Sequence, residues 1–397
     1  MIHNLVFDPI PFKGGSKIAT SEVLRQCDAN KVTFTVLTVD SQFWRNSLLA
    51  RQHDINIISF SSIPWVSRQF SGIFYWLNQS YFAVLLLWHI ITQRKIEQVI
   101  GASGPGIDMA IYLAQLVRHF SIVQLVHGDV ATSRSIGWCL TKAQQVYYLP
   151  SAHQSIVNAL QCYIRHHTQI EDVAALTLFH IRSNHFYTFV NGIAEENWPS
   201  RANNQLPTCF WCASTLKWKG LDLFVDTLRQ LHTTHAVRSH ICFIQPKDIS
   251  LDVSPAPVAL WHTKWYQDPQ DLDEIRRHCN IFISTSHREP FGLSILEALA
   301  AGMCVIIPQD GSYWDLKLTH KINCIKYKAN DLQDLRHGII SVYRDHHLLQ
   351  AMQIQGYQIA QRYKAKITYA QIINGISGEL DTTTAANLTT DTRLDYE

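Results

Sequence analysis

Two carboxylates, Glu289 and Glu297, stand with seven residues between them in the run EPFGLSILEALAAG, residues 289–302. The apolar run 281–284 ahead of them reads as a buried strand. The loop after it carries Glu289 and Gly292, and a helix with almost no polar residue continues to Gly302. Within that helix Glu297 shares a face with Leu293, Leu296 and Ala300 by the i, i+3, i+4 rule. A carboxylate on an apolar face is costly without polar partners, so either a Lys or backbone N–H caps it or a pair of ligand hydroxyls does. The helix starts at the carboxyl end of a strand. Its free amides, from Phe291 through Gly292 and Leu293 to Ser294, therefore point into the crevice where parallel sheets bind ligands. A diphosphate fits there, held by the amides and the helix dipole without a metal.

A strand, loop and helix of this kind need a parallel sheet around them. Apolar runs at 4–7, 32–38, 55–60, 99–101, 122–126 and 146–149 alternate with helix-length segments, the pattern of a sheet covered on both faces. A second series follows at 208–213, 240–244, 258–262, 281–284 and 304–307. The polar stretch 195–207 between them contains Pro199 and ends on Pro207, and reads as a linker. At 397 residues the chain exceeds what one core usually supports. The expected fold is α/β, with two Rossmann-like doubly wound domains at 1–194 and 208–356. Residues 379–397, rich in Thr, Asn and Asp, are expected to be a disordered tail.

The spacing of Glu289 and Glu297 inside EPFGLSILEALAAG resembles the signature of family 4 glycosyltransferases, and the resemblance extends roughly from Asn4 to Ile376. It implies a GT-B fold, in which the two domains face each other across a cleft and a last helix, here 357–378, crosses back to the first. It also implies that Glu297 binds the ribose hydroxyls of a nucleotide and that Glu289 lies beside the transferred sugar. Phe12-Lys13-Gly14-Gly15-Ser16, after the first strand, resembles the family's glycine loop, where Gly14 and Gly15 let backbone reach the diphosphate. His127, in Val126-His127-Gly128-Asp129, resembles the family's cleft His. Asn191-Gly192 resembles its hinge turn, and Lys219, in Lys217-Trp218-Lys219-Gly220, its diphosphate clamp.

By this resemblance Glu289, His127 and Lys219 are the catalytic residues. Gly14, Gly15, Lys217, Lys219, Phe291, Gly292, Leu293 and Glu297 hold the donor. The implied reaction is retaining, metal-independent transfer of a hexosyl unit from a nucleotide diphosphate sugar, with UDP favoured and no prosthetic group. The acceptor would be a glycan or lipid-linked hydroxyl in polysaccharide or glycolipid assembly. Closure about the 191–207 hinge would exclude water. One departure stands out. The family usually carries Arg five residues before the clamp Lys, where this chain has Ser214, and Lys217 is the candidate replacement although a point charge does not equal a planar fork. Ser214 also motivates the alternative of a catalytically silent, donor-binding subunit.

Other patterns are read as structural. Asp271 and Asp273 have DxD spacing, but they follow Asp268-Pro269, an N-cap and first-turn pair, where acidic residues are ordinary dipole partners. The glycine-rich 101–106 lacks the GxGxxG order and reads as a turn lining the acceptor side. Cys209 and Cys212 have CxxC spacing inside a strand-like run and read as small core residues. Nine cysteines, odd in number and scattered, suit reduced thiols in the cytoplasm. Lys plus Arg at 34 against Asp plus Glu at 32 leaves +2, which argues against a nucleic-acid partner. The first residues run straight into a strand, so no signal peptide is expected. Residues 70–92 are uncharged and aromatic-rich; Asn78, Gln79 and Ser80 interrupt them, which favours a buried helix or two short ones over a membrane span. Trp65, Tyr75, Trp76 and Trp88 would suit peripheral contact with the inner face of a membrane.

Overall fold

A computed structural model describes residues 1–11, 14–61, 71–93, 96–167, 172–246 and 251–379. The chain divides into two compact units, Met1–Val190 with Thr368–Glu397, and Asn191–Ile367. Most of the segment expected to be a disordered tail, 380–397, lies outside the described residues.

The first unit holds a seven-stranded sheet in the order β3-β2-β1-β4-β5-β6-β7. The strands are β1 (Ile2–Asp8), β2 (Val32–Thr38), β3 (Ile55–Ser59), β4 (Ile96–Gly101), β5 (Ser121–Val126), β6 (Gln145–Tyr148) and β7 (Phe186–Thr188). All neighbouring pairs are parallel. Helices cover both faces, so consecutive residues of a central strand are buried: Leu5, Val6 and Phe7 of β1 are all inaccessible. Chain direction through the sheet reverses between β1 and β4, which opens a crevice at their carboxyl ends.

The second unit repeats the plan with six parallel strands in the order β10-β9-β8-β11-β12-β13. These are β8 (Thr208–Ser214), β9 (Arg238–Ile244), β10 (Thr263–Gln267), β11 (Ile281–Ile283), β12 (Cys304–Gln309) and β13 (Ile325–Lys328). Its reversal lies between β8 and β11.

Four expectations need correction. The strand placed at 258–262 is β10, at Thr263–Gln267. Pro255 and Pro257 precede the apolar run and His262 ends it in a left-handed conformation, φ 53°, while the edge strand has no fully buried residue. The short strands β7 and β13 were not anticipated, because Phe-Tyr-Thr and Ile-Lys-Tyr-Lys are too brief and too polar to register as apolar runs. Asp271, not Asp268, stands before the Leu272–Arg277 helix; Asp268 is left-handed at φ 43°. Finally, Gly72–Thr92 is one unbroken helix and is not buried all round. Asn78 and Gln79 do not interrupt it, because they turn inward, where Gln79 Oε1 accepts the Ala110 N–H at 2.9 Å.

The segment read as a linker is fastened along the second unit. Ser200 N–H donates to Asp273, Ala202 N–H to the Ala301 carbonyl at 2.8 Å and Asn203 N–H to the Arg277 carbonyl at 3.1 Å. The Arg201 guanidinium lies 3.9 Å from the centroid of the Tyr357 ring. At the other end of the chain, the Ala370–Ile376 helix belongs to the first unit. Its Gln371 carbonyl accepts from Tyr147 Oη at 3.1 Å, and Asn4 donates to the Ile376 carbonyl.

Candidate functional site

The carboxyl ends of β8 and β11, either side of the second unit's reversal, carry the residues singled out by the sequence. After β8 the chain makes a short turn, Lys217–Lys219, and Gly220 at φ 71° starts the Leu221–Leu231 helix. A Cβ at Gly220 would run into the carbonyl of Thr285, so only glycine lets the turn sit this close to the loop after β11. Two bonds join the two loops and a third ties the second loop to β8. Thr285 Oγ1 donates to the Lys219 carbonyl at 3.0 Å and accepts from Trp211 Nε1 at 2.9 Å, and His287 N–H donates to the Trp218 carbonyl at 2.8 Å.

This stitching places Lys219 Nζ 2.6 Å from Glu289 Oε2, with the two side chains 18% and 16% exposed. The ammonium also lies 3.9 Å from the Trp218 ring centroid. The pair is largely desolvated yet reachable, a place where an incoming anion can exchange with the carboxylate. Glu289 is followed by Gly292, whose φ of 80° turns the chain into the Leu293–Ala300 helix. Phe291 buries its ring among Tyr313, Trp314 and Tyr363, with centroids 4.9, 5.5 and 6.3 Å away. Trp314 Nε1 donates to the Gly292 carbonyl at 3.2 Å, so the start of the helix is held from behind.

Glu297 does have a protein partner, which the sequence did not reveal: Arg276, from the Leu272–Arg277 helix, ion-pairs with its Oε2. Arg276 is 5% exposed and also holds Asp273 at 3.1 Å, whereas the Glu297 side chain is 34% exposed. A spacing of 21 residues across β11 gives no local signal for this contact. Asp273 of the DxD pattern is thus engaged by Arg276 and the Ser200 N–H, and no group of three or more potential metal-ligating side chains occurs among the described residues.

Ser214 is the last residue of β8. Lys217, the proposed replacement for the expected Arg, points instead to Asp222, 2.7 Å away, in a pair that is about half exposed. Arg288 was missed. It is exposed, its φ of 48° is unusual for a side-chain-bearing residue, and its N–H donates to Asp310 Oδ2 at 2.9 Å. It stands between His287, which holds Trp218, and Glu289, which holds Lys219.

Gly14, Gly15 and His127 belong to the first unit. Gly14 caps the Gly15–Arg25 helix after β1; Phe12 and Lys13 lie outside the described residues. The same turn buries Lys17, whose Nζ meets Asp8 at 3.0 Å, Asp40 at 3.2 Å and the Ile10 carbonyl at 2.7 Å. His127, at the end of β5, shares a hydrogen bond of 3.1 Å with Thr20 Oγ1 and stacks edge-on against Phe189. Its Nδ1 is buried without a partner, and burial lowers the imidazole pKa to about 4.

The glycine-rich 101–106 turn is closed by Asp108, which is inaccessible and whose Oδ2 accepts from Ser103 N–H at 2.8 Å and Gln124 Nε2 at 2.7 Å. Its Oδ1 and the Ser103 hydroxyl are both unpaired, and desolvation raises the carboxyl pKa to about 8. All nine cysteines are free, and burial pushes the Cys209 and Cys212 thiols up to about 12, as expected of unreactive core residues.

Residues 193–359 match the family model for glycosyl transferases group 1. No curated protein matches the chain. Among solved structures, Alr3699/HepE from Anabaena, crystallised with UDP and glucose, is similar at TM-score 0.69 and 16% identity, covering 95% of this chain and 100% of that one. A glycosyltransferase from Rickettsia africae ESF-5 is similar at TM-score 0.63 and 13% identity, over 96% of this chain and 99% of that one. Sucrose-phosphate synthase from Thermosynechococcus elongatus gives TM-score 0.66 and 11% identity, over 93% and 97%. At such identities the likeness establishes fold. The chain has the GT-B fold of two Rossmann-like units, and the stretch that matches the glycosyl transferases group 1 model lies in its second unit.

Proposed function

We propose that this protein is a retaining, metal-independent glycosyltransferase that moves a hexosyl unit from a UDP-sugar to an acceptor hydroxyl. The Lys219–Glu289 pair carries the reading. It sets a cation and a carboxylate 2.6 Å apart beside the amino end of the Leu293–Ala300 helix, at the sheet reversal where such folds bind nucleotides. Lys219 and the amides of Phe291, Gly292 and Leu293 would bind the diphosphate and stabilise it as it leaves. Glu297, presented by Arg276, would take the ribose hydroxyls. Glu289, freed from Lys219 by the diphosphate, would orient the sugar. The charge of the leaving group would be met by protein donors, and front-side displacement with the departing diphosphate as base would retain the anomeric configuration.

UDP as the carrier is supported by similar structures crystallised with UDP and with UDP-glucose. A role in polysaccharide or glycolipid assembly and peripheral contact with the inner face of a membrane belong to the same reading. Free cysteines throughout suit a cytoplasmic site of action.

Ser214 favours a second reading, since the position lacks a cation and Lys217 is turned to Asp222: a subunit that binds donor without turnover. Calorimetry of UDP, GDP and ADP with EDTA, paired with UDP release from UDP-sugars, separates the two. The proposal expects UDP binding that survives EDTA together with turnover. Binding without UDP release against a panel of glycan and lipid-linked acceptors supports the silent subunit. Absence of diphosphate binding by folded protein would falsify both.

A further inference from the structure

The Gly72–Thr92 helix contains no Asp, Glu, Lys or Arg. Its inward face packs Phe82, Ala83, Leu86 and Ile90 against the first unit's core. The opposite face is also apolar. Ile73, Leu77, Val84, Trp88 and Ile91 are 71, 57, 65, 67 and 56% exposed, and their spacing of 4, 7, 4 and 3 residues makes them one stripe along the helix. At about 1.5 Å per residue the stripe is on the order of 27 Å long, far more than scattered surface leucines. The stripe extends past the helix end. Arg118 donates to the Ile90 carbonyl at 2.8 Å, and its neighbours Leu116 and Val117 are 68 and 73% exposed.

Charge decides what covers this surface. Between Asp54 and Glu97 the sequence has no acidic residue, and its only formal charges are Arg68, Arg94 and Lys95, which bracket the helix in sequence. A protein partner for an uncharged stripe would not need flanking cations, whereas an anionic lipid surface attracts them and accepts the apolar face. Trp88 and the neighbouring Trp76 suit the boundary between headgroups and acyl chains. No described helix is long and apolar enough to cross a membrane.

We infer that this exposed face is a docking surface for an anionic membrane, with the helix lying in the interface plane. The inference rests on the membrane contact in the proposed function and specifies where it is made; donor binding is independent of it. The test is sedimentation of the full chain with phosphatidylcholine vesicles, with and without about one-third phosphatidylglycerol. Wild type is compared with L77E/V84E, two exposed sites where acidic residues leave the core intact, and UDP binding is measured on the same samples. Partition onto anionic vesicles, weakened roughly tenfold or more in the variant with UDP binding unchanged, is the expected result. No partition by wild type, equal partition of the variant, or equal binding to neutral vesicles would overturn the inference. So would a wild-type dimer in sedimentation equilibrium that the variant abolishes, because a second copy would then cover the stripe. Loss of UDP binding by wild type would count against the proposed enzyme and leave the vesicle result to stand by itself.

Discussion

At the sheet reversal of the second unit, Lys219 pairs with Glu289 and Arg276 with Glu297; at that of the first, Ser103, Asp108 and His127 each keep a buried polar atom without a partner. The paired region is ready for charge. An anion arriving at Lys219 replaces one counter-charge with another, so the half-buried cation never loses compensation. The unpaired region is ready for neutral groups. Burial disfavours the imidazolium of His127 and the carboxylate of Asp108, and unsatisfied polar atoms suit a ligand rich in hydroxyls. The contrast teaches that one fold, used twice, can set exchangeable ion pairs at its reversal in one copy and leave uncharged hydrogen-bonding capacity in the other.

The largest expected effect lies in the unpaired region. The Asp108 pKa is raised from 3.8 to about 8, so its contribution to stability is present below the unfolded value and is lost as pH rises through about 8. Asp108→Asn keeps the shape and abolishes the titration. Relative to wild type it should gain stability on going from pH 5 to pH 8.5, by several kcal/mol at most, measured by denaturant midpoints. Equal pH dependence in both proteins would break the comparison at its first-unit end. Next comes Lys219→Ala, for which calorimetry should show UDP binding weakened about a hundredfold, the scale of a lost charge-assisted bond to a phosphate. An unchanged affinity would make the Lys219–Glu289 pair purely structural. Glu297→Gln should cost about tenfold and, since it acts on the ribose, should weaken uridine as much as UDP.

The second unit was the more legible in sequence because its signals are local. A strand, a left-handed glycine and a helix start lie within a dozen residues, so 289–302 could be read without the rest of the chain. The i, i+3, i+4 rule likewise put Glu297 on one helix face with Leu293, Leu296 and Ala300. What completes the site is not local. Arg276 reaches Glu297 across β11, Thr285 ties down Lys219 from 66 residues away, and neither partner changes any pattern in its own segment. The central strands were legible for a similar reason, since burial on both faces demands continuous apolar runs, whereas three of the four edge strands, β7, β10 and β13, escape that demand; the fourth, β3, keeps an isoleucine-rich run. The Gly72–Thr92 helix misled in the opposite way: Asn78 and Gln79 looked like breaks because polarity was read without the core that receives Gln79. Asp108 gave no sign at all, being a common residue after a glycine turn until its neighbours remove the water.

The smallest expected effect concerns the charge that Ser214 does not supply. Arg288 is held at φ 48° between two residues that grip the Trp218–Lys219 turn, while Lys217 is bound to Asp222. A left-handed side-chain-bearing residue costs of order 1 kcal/mol, which makes Arg288 a position to test for a role in binding. The guanidinium is exposed and its interaction with a diphosphate is screened, so Arg288→Ala should weaken UDP about threefold at low salt. The loss should shrink as salt is raised, and uridine, which lacks phosphate, should be untouched. Arg288→Gly sharpens the test, because it removes the same charge while relieving the backbone. Equal losses in both variants assign the effect to charge, whereas tighter binding by the glycine variant than by the alanine assigns part of it to the shape of the loop that presents Glu289.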